Sequence, residues 1–167
     1  MLVKKRSLPV LYENYCAFEK AKGHTKATNN LLVSWERLGE LTEEKDGIDG
    51  KSYQQSNRGQ ADFIWTKLPL VGCDIGPITD WDAPLIFAFT NDETEYLARL
   101  EHEQWMHEKQ GQGWRYGSER NDKQKIHPSL VSYDHLSEFE KDKDRNTIHL
   151  IPELLSLIDY QVYRRKK

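Results

Sequence analysis

The chain has 167 residues, the length of one domain, and its 24 basic and 27 acidic side chains leave a net charge of −3 with a pI near 6.1. That balance argues against a dedicated nucleic-acid binder, whose phosphate contacts need a basic surface. A mean hydropathy of −0.82 indicates a well-solvated surface and no apolar run approaches the roughly 20 residues of a membrane span, while five Trp, eight Tyr and five Phe supply a core that disordered chains lack.

The N-terminus passes from Lys4-Lys-Arg6 to Pro9 without a secretory apolar stretch, and Cys16 and Cys73 form no Cys-x-x-Cys pair. A cytoplasmic location is therefore expected. A helix is predicted from about Pro9 to Lys20, with Tyr12, Tyr15 and Glu19 on one side. Residues 46–56 carry two glycines and are expected to form an exposed loop, followed by a helix over Gln54–Leu68. Gly72 to Pro84, with two glycines, two prolines and Trp81, has the composition of a linker.

Thr90-Asn-Asp-Glu93 fits a capping box, which opens a helix through Glu95–Lys109 that stops near Gly111 and Gly113. At 100° per residue Leu97, Leu100 and Gln104 share one stripe, and Ala98, His102, Trp105 and Lys109 share another. One stripe faces the core; the other needs a different explanation. Gly113-Trp-Arg-Tyr-Gly117 and the polar run Ser118–Lys125 suggest a short strand or hairpin turning near Asn121-Asp122, with Trp114 and Tyr116 plugging the core. A closing helix over Lys141–Leu157 is expected to break near Ile151, ahead of Pro152. The basic ends, including Arg164-Arg-Lys-Lys167, are expected to fray.

Two segments of the chain resemble each other. Asn29-Asn-Leu-Leu-Val-Ser-Trp-Glu-Arg-Leu38 aligns with His127-Pro-Ser-Leu-Val-Ser-Tyr-Asp-His-Leu136, and Tyr12-Glu-Asn-Tyr15 aligns with His102-Glu-Gln-Trp105. Downstream, Arg58, Ile64 and Leu68 meet Arg145, Ile151 and Leu155 once 46–56 is treated as an insertion. Conserved order over this length points to a duplication rather than a chance match of Leu, Val and Ser. The expected organisation is one domain over 1–167 made of two repeats, 8–75 and 90–160, joined by 76–89.

The stretch His102-Glu-Gln-Trp105, Gly113-Trp-Arg-Tyr-Gly117, Arg120-Asn-Asp122, Lys125-Ile-His-Pro-Ser-Leu-Val131, Leu136 and Lys143-Asp-Arg145 resembles the ryanodine receptor repeat, the RyR domain. That family's pattern is HExW, then GWxYGxxRDDxxKxHPxLV, then an acidic segment. Asn30-Leu-Leu-Val-Ser-Trp35 and Ser56-Asn-Arg-Gly-Gln-Ala61 resemble bacterial and phage forms of it, although the first half lacks GWxYG and carries Tyr15 in place of the Trp. The resemblance implies an α+β, mainly helical fold of two tandem repeats packed as one pseudo-twofold unit. It also implies a module without established catalytic activity, in which a cleft between the copies holds an adenine nucleotide against the HExW aromatics. Carried over, those aromatics are Tyr15 and Trp105, with Lys109 one turn on.

Tyr15 and Trp105 thus have two readings, ligand stack or inter-repeat core. Arg115, Arg120, Lys123 and Lys125 either contact an anion or belong to a solvated hairpin in which Arg120 and Lys125 pair with Asp122, Asp134 or Glu138. His102 and His107 lie five apart on the helix, too far round to share a metal, so His102 is expected to hydrogen-bond and orient Trp105. Glu101, Glu103 and Glu108 lie on a charged helix without a readable catalytic set. Gly111-Gln-Gly-Trp-Arg-Tyr-Gly117 follows a helix rather than a strand, unlike a dinucleotide loop. The functional expectation is a sensor or sequestering module for a nucleotide-like molecule, using Tyr15, Trp105, Lys109, His102, Arg115, Arg120 and Lys125, with no cofactor and no metal. The alternative is a protein-interaction or homodimerisation domain using the same aromatic surface; nucleic acid and membrane partners are not expected.

Overall fold

A computed structural model of the protein describes residues 9, 12–13, 16–17, 19–21, 23–29, 31–80, 82 and 86–166. The fold is α+β and mainly helical, and the chain divides into two compact units, 1–62 and 63–167. The division falls inside a helix rather than in the Gly72–Pro84 stretch.

In the first unit, α1 is helical at every described position between 9 and 21. The Ser34 hydroxyl accepts from Arg37 N–H and opens α2 (Trp35–Glu40). The short α3 (Glu43–Asp46) closes on Gly47 in the left-handed conformation, φ 68°. Then α4 (Gly50–Lys67) begins. Tyr12, Cys16, Leu32, Leu38, Leu41 and Ile48 form the core of this unit. The Tyr12 ring meets Trp35 edge-on at 5.8 Å, and its hydroxyl donates to the Leu31 carbonyl.

The 46–56 segment is not the exposed loop its glycines suggest. Ile48 is buried, and from Gly50 onward the segment is helix. A Cβ at Gly50 would stand 1.7 Å from the Leu38 carbonyl oxygen, so this glycine serves close backbone approach rather than flexibility.

The second unit holds the end of α4, a 3-10 turn at Leu68–Val71, β1 (Cys73–Pro77), α5 (Asn91–Gly111), β2 (Arg115–Tyr116), β3 (Ile126–His127), a 3-10 turn at Tyr133–His135, α6 (Glu138–Ser156) and β4 (Tyr160–Arg164). Phe63, Leu68, Cys73, Leu97, Ala98, Tyr133, Ile148, Ile151, Leu155 and Val162 belong to one buried cluster. The Thr90–Glu93 capping box forms in both directions, as the sequence predicts. The buried face of α5 joins Leu97 of one predicted stripe and Ala98 and His102 of the other with Thr94 and Glu101, which belong to neither. The helix packs against α6 on one side and the Tyr133–His135 turn on another, so a single stripe is too narrow.

Four expectations change. The start of the supposed linker is β1, paired antiparallel with β4 in the register Cys73↔Arg164, Ile75↔Val162, Pro77↔Tyr160; Trp81 lies outside the described residues. The Arg115–His127 region is not a simple hairpin, because β2 and β3 run parallel, Arg115 opposite Ile126. α6 continues through Pro152, which costs one backbone hydrogen bond; burial of Ile148, Ile151 and Leu155 around it compensates. Nor does the C-terminal tail fray at Arg164: this residue ends β4 and pairs with Glu93, while Arg165 N–H donates to the Gly72 carbonyl at 2.9 Å. Among the described residues no helix is long and apolar enough to cross a membrane.

Candidate ligand-binding site

Helix α5 carries His102 and Trp105 on adjacent turns. His102 is only 3% exposed; its Nε2 lies 2.8 Å from the Val131 carbonyl oxygen and its Nδ1 3.3 Å from Asp144 Oδ2. Both partners only accept, so the ring serves both best as the imidazolium. Burial opposes that charge, but the hydrogen bonds to Asp144 and Val131 outweigh it and raise the pKa. The half-buried Trp105 ring lies over this histidine, centroids 5.5 Å apart and tilted 31°. His102 is thus hydrogen-bonded on both nitrogens and in ring contact with Trp105.

The other edge of Trp105 meets His127 on β3 at 5.1 Å, and His127 meets Trp114 at 6.1 Å. Lys109, one turn beyond Trp105, lays its ammonium 5.1 Å over the Trp114 ring. Burial first, then the Arg120 charge, depresses the Lys109 pKa. The same two causes in the same order depress that of His127, Lys109 adding to them and Glu140 opposing. Trp105, His127, Trp114 and Lys109 therefore form one aromatic and cationic cluster, with Arg120 in electrostatic range.

The rest of the basic loop divides. Arg120 holds Asp122 through two hydrogen bonds, 2.7 and 3.2 Å, one of the loop pairings expected. Lys125 instead donates to the Gln112 carbonyl at 3.1 Å, because Asp134 is engaged by Arg99 and Glu138 by Lys141 and Arg145. The Arg115 side chain is exposed on β2, and no ring contact links it to Trp105. Tyr116 is 61% exposed and is not a core plug; its strand has a neighbour on one edge only. Tyr15 lies outside the described residues. Arg120 also lines an open hollow of about 310 Å³ together with Gly117, Ser118, Glu119, Asn121 and Ile126.

Two members of the cluster, His127 and Trp114, are absent from the sequence-derived site. They stand in the HP and GW segments that flank the polar loop, and the short parallel β2–β3 pairing brings them together. Glu101, one of three glutamates on this charged helix, is only 7% exposed. Burial, then the charges of Asp144 and Glu108, push its carboxyl up to about 8, so it is mostly neutral at pH 7. Among the described residues no three of His, Cys, Asp and Glu converge as a metal site requires.

Residues 88–164, from just before the capping box to the end of β4, match the family model of the RyR domain. No curated protein matches the chain.

Proposed function

Residues 88–164 being a RyR domain, we propose that this chain is a non-catalytic binding module, a sensor or sequestering protein for a nucleotide-like small molecule. The observation that carries it is the joining of Trp105, braced by His102, to the His127, Trp114 and Lys109 cluster with Arg120 close by. A planar ring stacked on Trp105 gains about 1–3 kcal/mol. An anionic group beside Lys109 and Arg120 relieves the mutual repulsion that lowers the Lys109 pKa. Cys16 and Cys73 are buried and unbridged, which suits a reducing cytoplasm.

A two-copy, pseudo-twofold organisation is part of the proposal. Support comes from equivalent internal contacts: Tyr12 lies on Trp35 at 5.8 Å and 61°, while His102 lies on Tyr133 at 6.0 Å and 60°. It comes also from the ends of α4 and α6. Ile64 and Leu68 align with Ile151 and Leu155, left-handed Gly72 with left-handed Asp159, and β1 with β4 at one constant spacing. The β1–β4 register has the symmetry of such a pair, since exchanging the two strands maps the ladder onto itself.

The test is a thermal-shift panel of adenine, guanine, cyclic and dinucleotide ligands. At least one should raise Tm in the wild type and fail to do so in Trp105→Ala, with that variant still folded. No shift with any ligand would overturn the proposal. A second reading, docking of a protein partner or second copy, is favoured by the exposed Tyr116 beside the cluster. Light scattering that shows a dimer dissociated by Tyr116→Ala would select it.

A further inference from the structure

His127 is held differently from His102. Its Nδ1 accepts the Ser129 N–H at 3.1 Å, so the ring proton sits on Nε2. That Nε2–H has no hydrogen-bond partner among the described residues. The ring meets both the Trp105 and the Trp114 indoles edge to face, centroids 5.1 and 6.1 Å away. The Ser129 hydroxyl donates onward to Glu140 at 3.1 Å, and Glu140 also holds Lys143, so the segment that sets the His127 tautomer is itself tethered to α6. A half-buried donor with a fixed direction, no partner of its own and Lys109 and Arg120 in electrostatic range suits one kind of acceptor: an anionic oxygen.

We propose that His127 is a ligand-binding residue whose neutral Nε2–H donates to a phosphoryl oxygen of the bound molecule. This rests on the binding-module reading above and adds to it the group that distinguishes a phosphorylated ligand from an unphosphorylated one. Trp105 serves the planar ring; His127 serves the phosphate. Lys109 and Arg120 supply charge without direction, because one lies along Trp114 and the other is shared with Asp122. The histidine supplies direction.

Calorimetry on the full chain with adenosine 5′-monophosphate, adenosine and inorganic phosphate tests this. The wild type should bind the monophosphate more tightly than adenosine. His127→Phe keeps a flat ring against both indoles and should weaken the monophosphate roughly tenfold while leaving adenosine unchanged. His127→Gln, whose amide reaches near the Nε2 position, should restore part of the loss. Phosphate bound in a His127-dependent way with no gain from the attached nucleoside would support the contact and identify a free anion as its source. Monophosphate binding unchanged in folded His127→Phe but lost in Trp105→Ala would overturn the His127 role and leave the binding module standing. Binding of none of the three probes to the wild type would remove both.

Discussion

Tyr12 in the first unit and His102 in the second occupy the same kind of slot. Each lies on a buried or half-buried aromatic ring at nearly the same distance and angle, and each reaches a carbonyl on a neighbouring segment. The first unit fills the slot with a phenol that donates to the Leu31 carbonyl. The second fills it with an imidazole whose two nitrogens face the Val131 carbonyl and Asp144, partners that favour its charged form, and that ring lies against Trp105. A phenol and an imidazole of similar shape can thus serve one packing role while differing in sensitivity to pH and in what they offer a neighbouring ring. The titratable version is the one found beside the candidate site.

This contrast is most strongly tested by His102→Ala. The substitution leaves Asp144 without its partner and Val131 without a donor, and should destabilise the fold by about 3 kcal/mol in urea unfolding. A loss no larger than that of Tyr12→Phe would mean that the charge contributes nothing special. Next comes Glu101→Gln. The unfolded carboxyl ionises near its ordinary value of 4.5 and the folded one at about 8. Stability is therefore lost as pH rises between those values and levels off above them. The amide should remove this slope, with a gain on the order of 4 kcal/mol at pH 9 and none at pH 4.

In that Glu101→Gln background a smaller step should remain. The raised pKa of His102 contributes stability that is complete below the unfolded value of 6.5 and fades as pH rises through the folded pKa. Chemical unfolding in steps from pH 5 to 9 would show it, and replacing Tyr12 should not alter it. Gly50→Ala should cost about 1–3 kcal/mol by forcing α4 away from the Leu38 carbonyl. Tyr12→Phe is the smallest, about 1 kcal/mol for one hydrogen bond, and should be flat from pH 5 to 9.

Local features of this fold were legible in the sequence. The Thr90–Glu93 box and the stop near Gly113 are set by residues within a few positions of one another, and the RyR-like motif marks the segment that carries Trp105 and His102. What escaped depended on distant partners. β1 reads as linker because its glycine and proline are tolerated only through pairing with β4 at the far end of the chain. Pro152 reads as a break because its neighbours' burial is a tertiary fact. Glu101 reads as surface because nothing in a helix rich in Glu distinguishes the one that faces inward. His127 does not stand out in the sequence because a two-residue parallel pairing, too short to leave a pattern, places it beside Trp114.

Asp159 has a consequence for protein engineering. It adopts φ 66° where the aligned position on the other side of the strand pair, Gly72, adopts φ 69°. A side chain in that conformation stores about 1 kcal/mol of strain that glycine does not. Gly72 thus supplies a repair template for Asp159. Asp159→Gly, set against the greater freedom it gives the unfolded chain, is the graft with which to begin a sturdier variant.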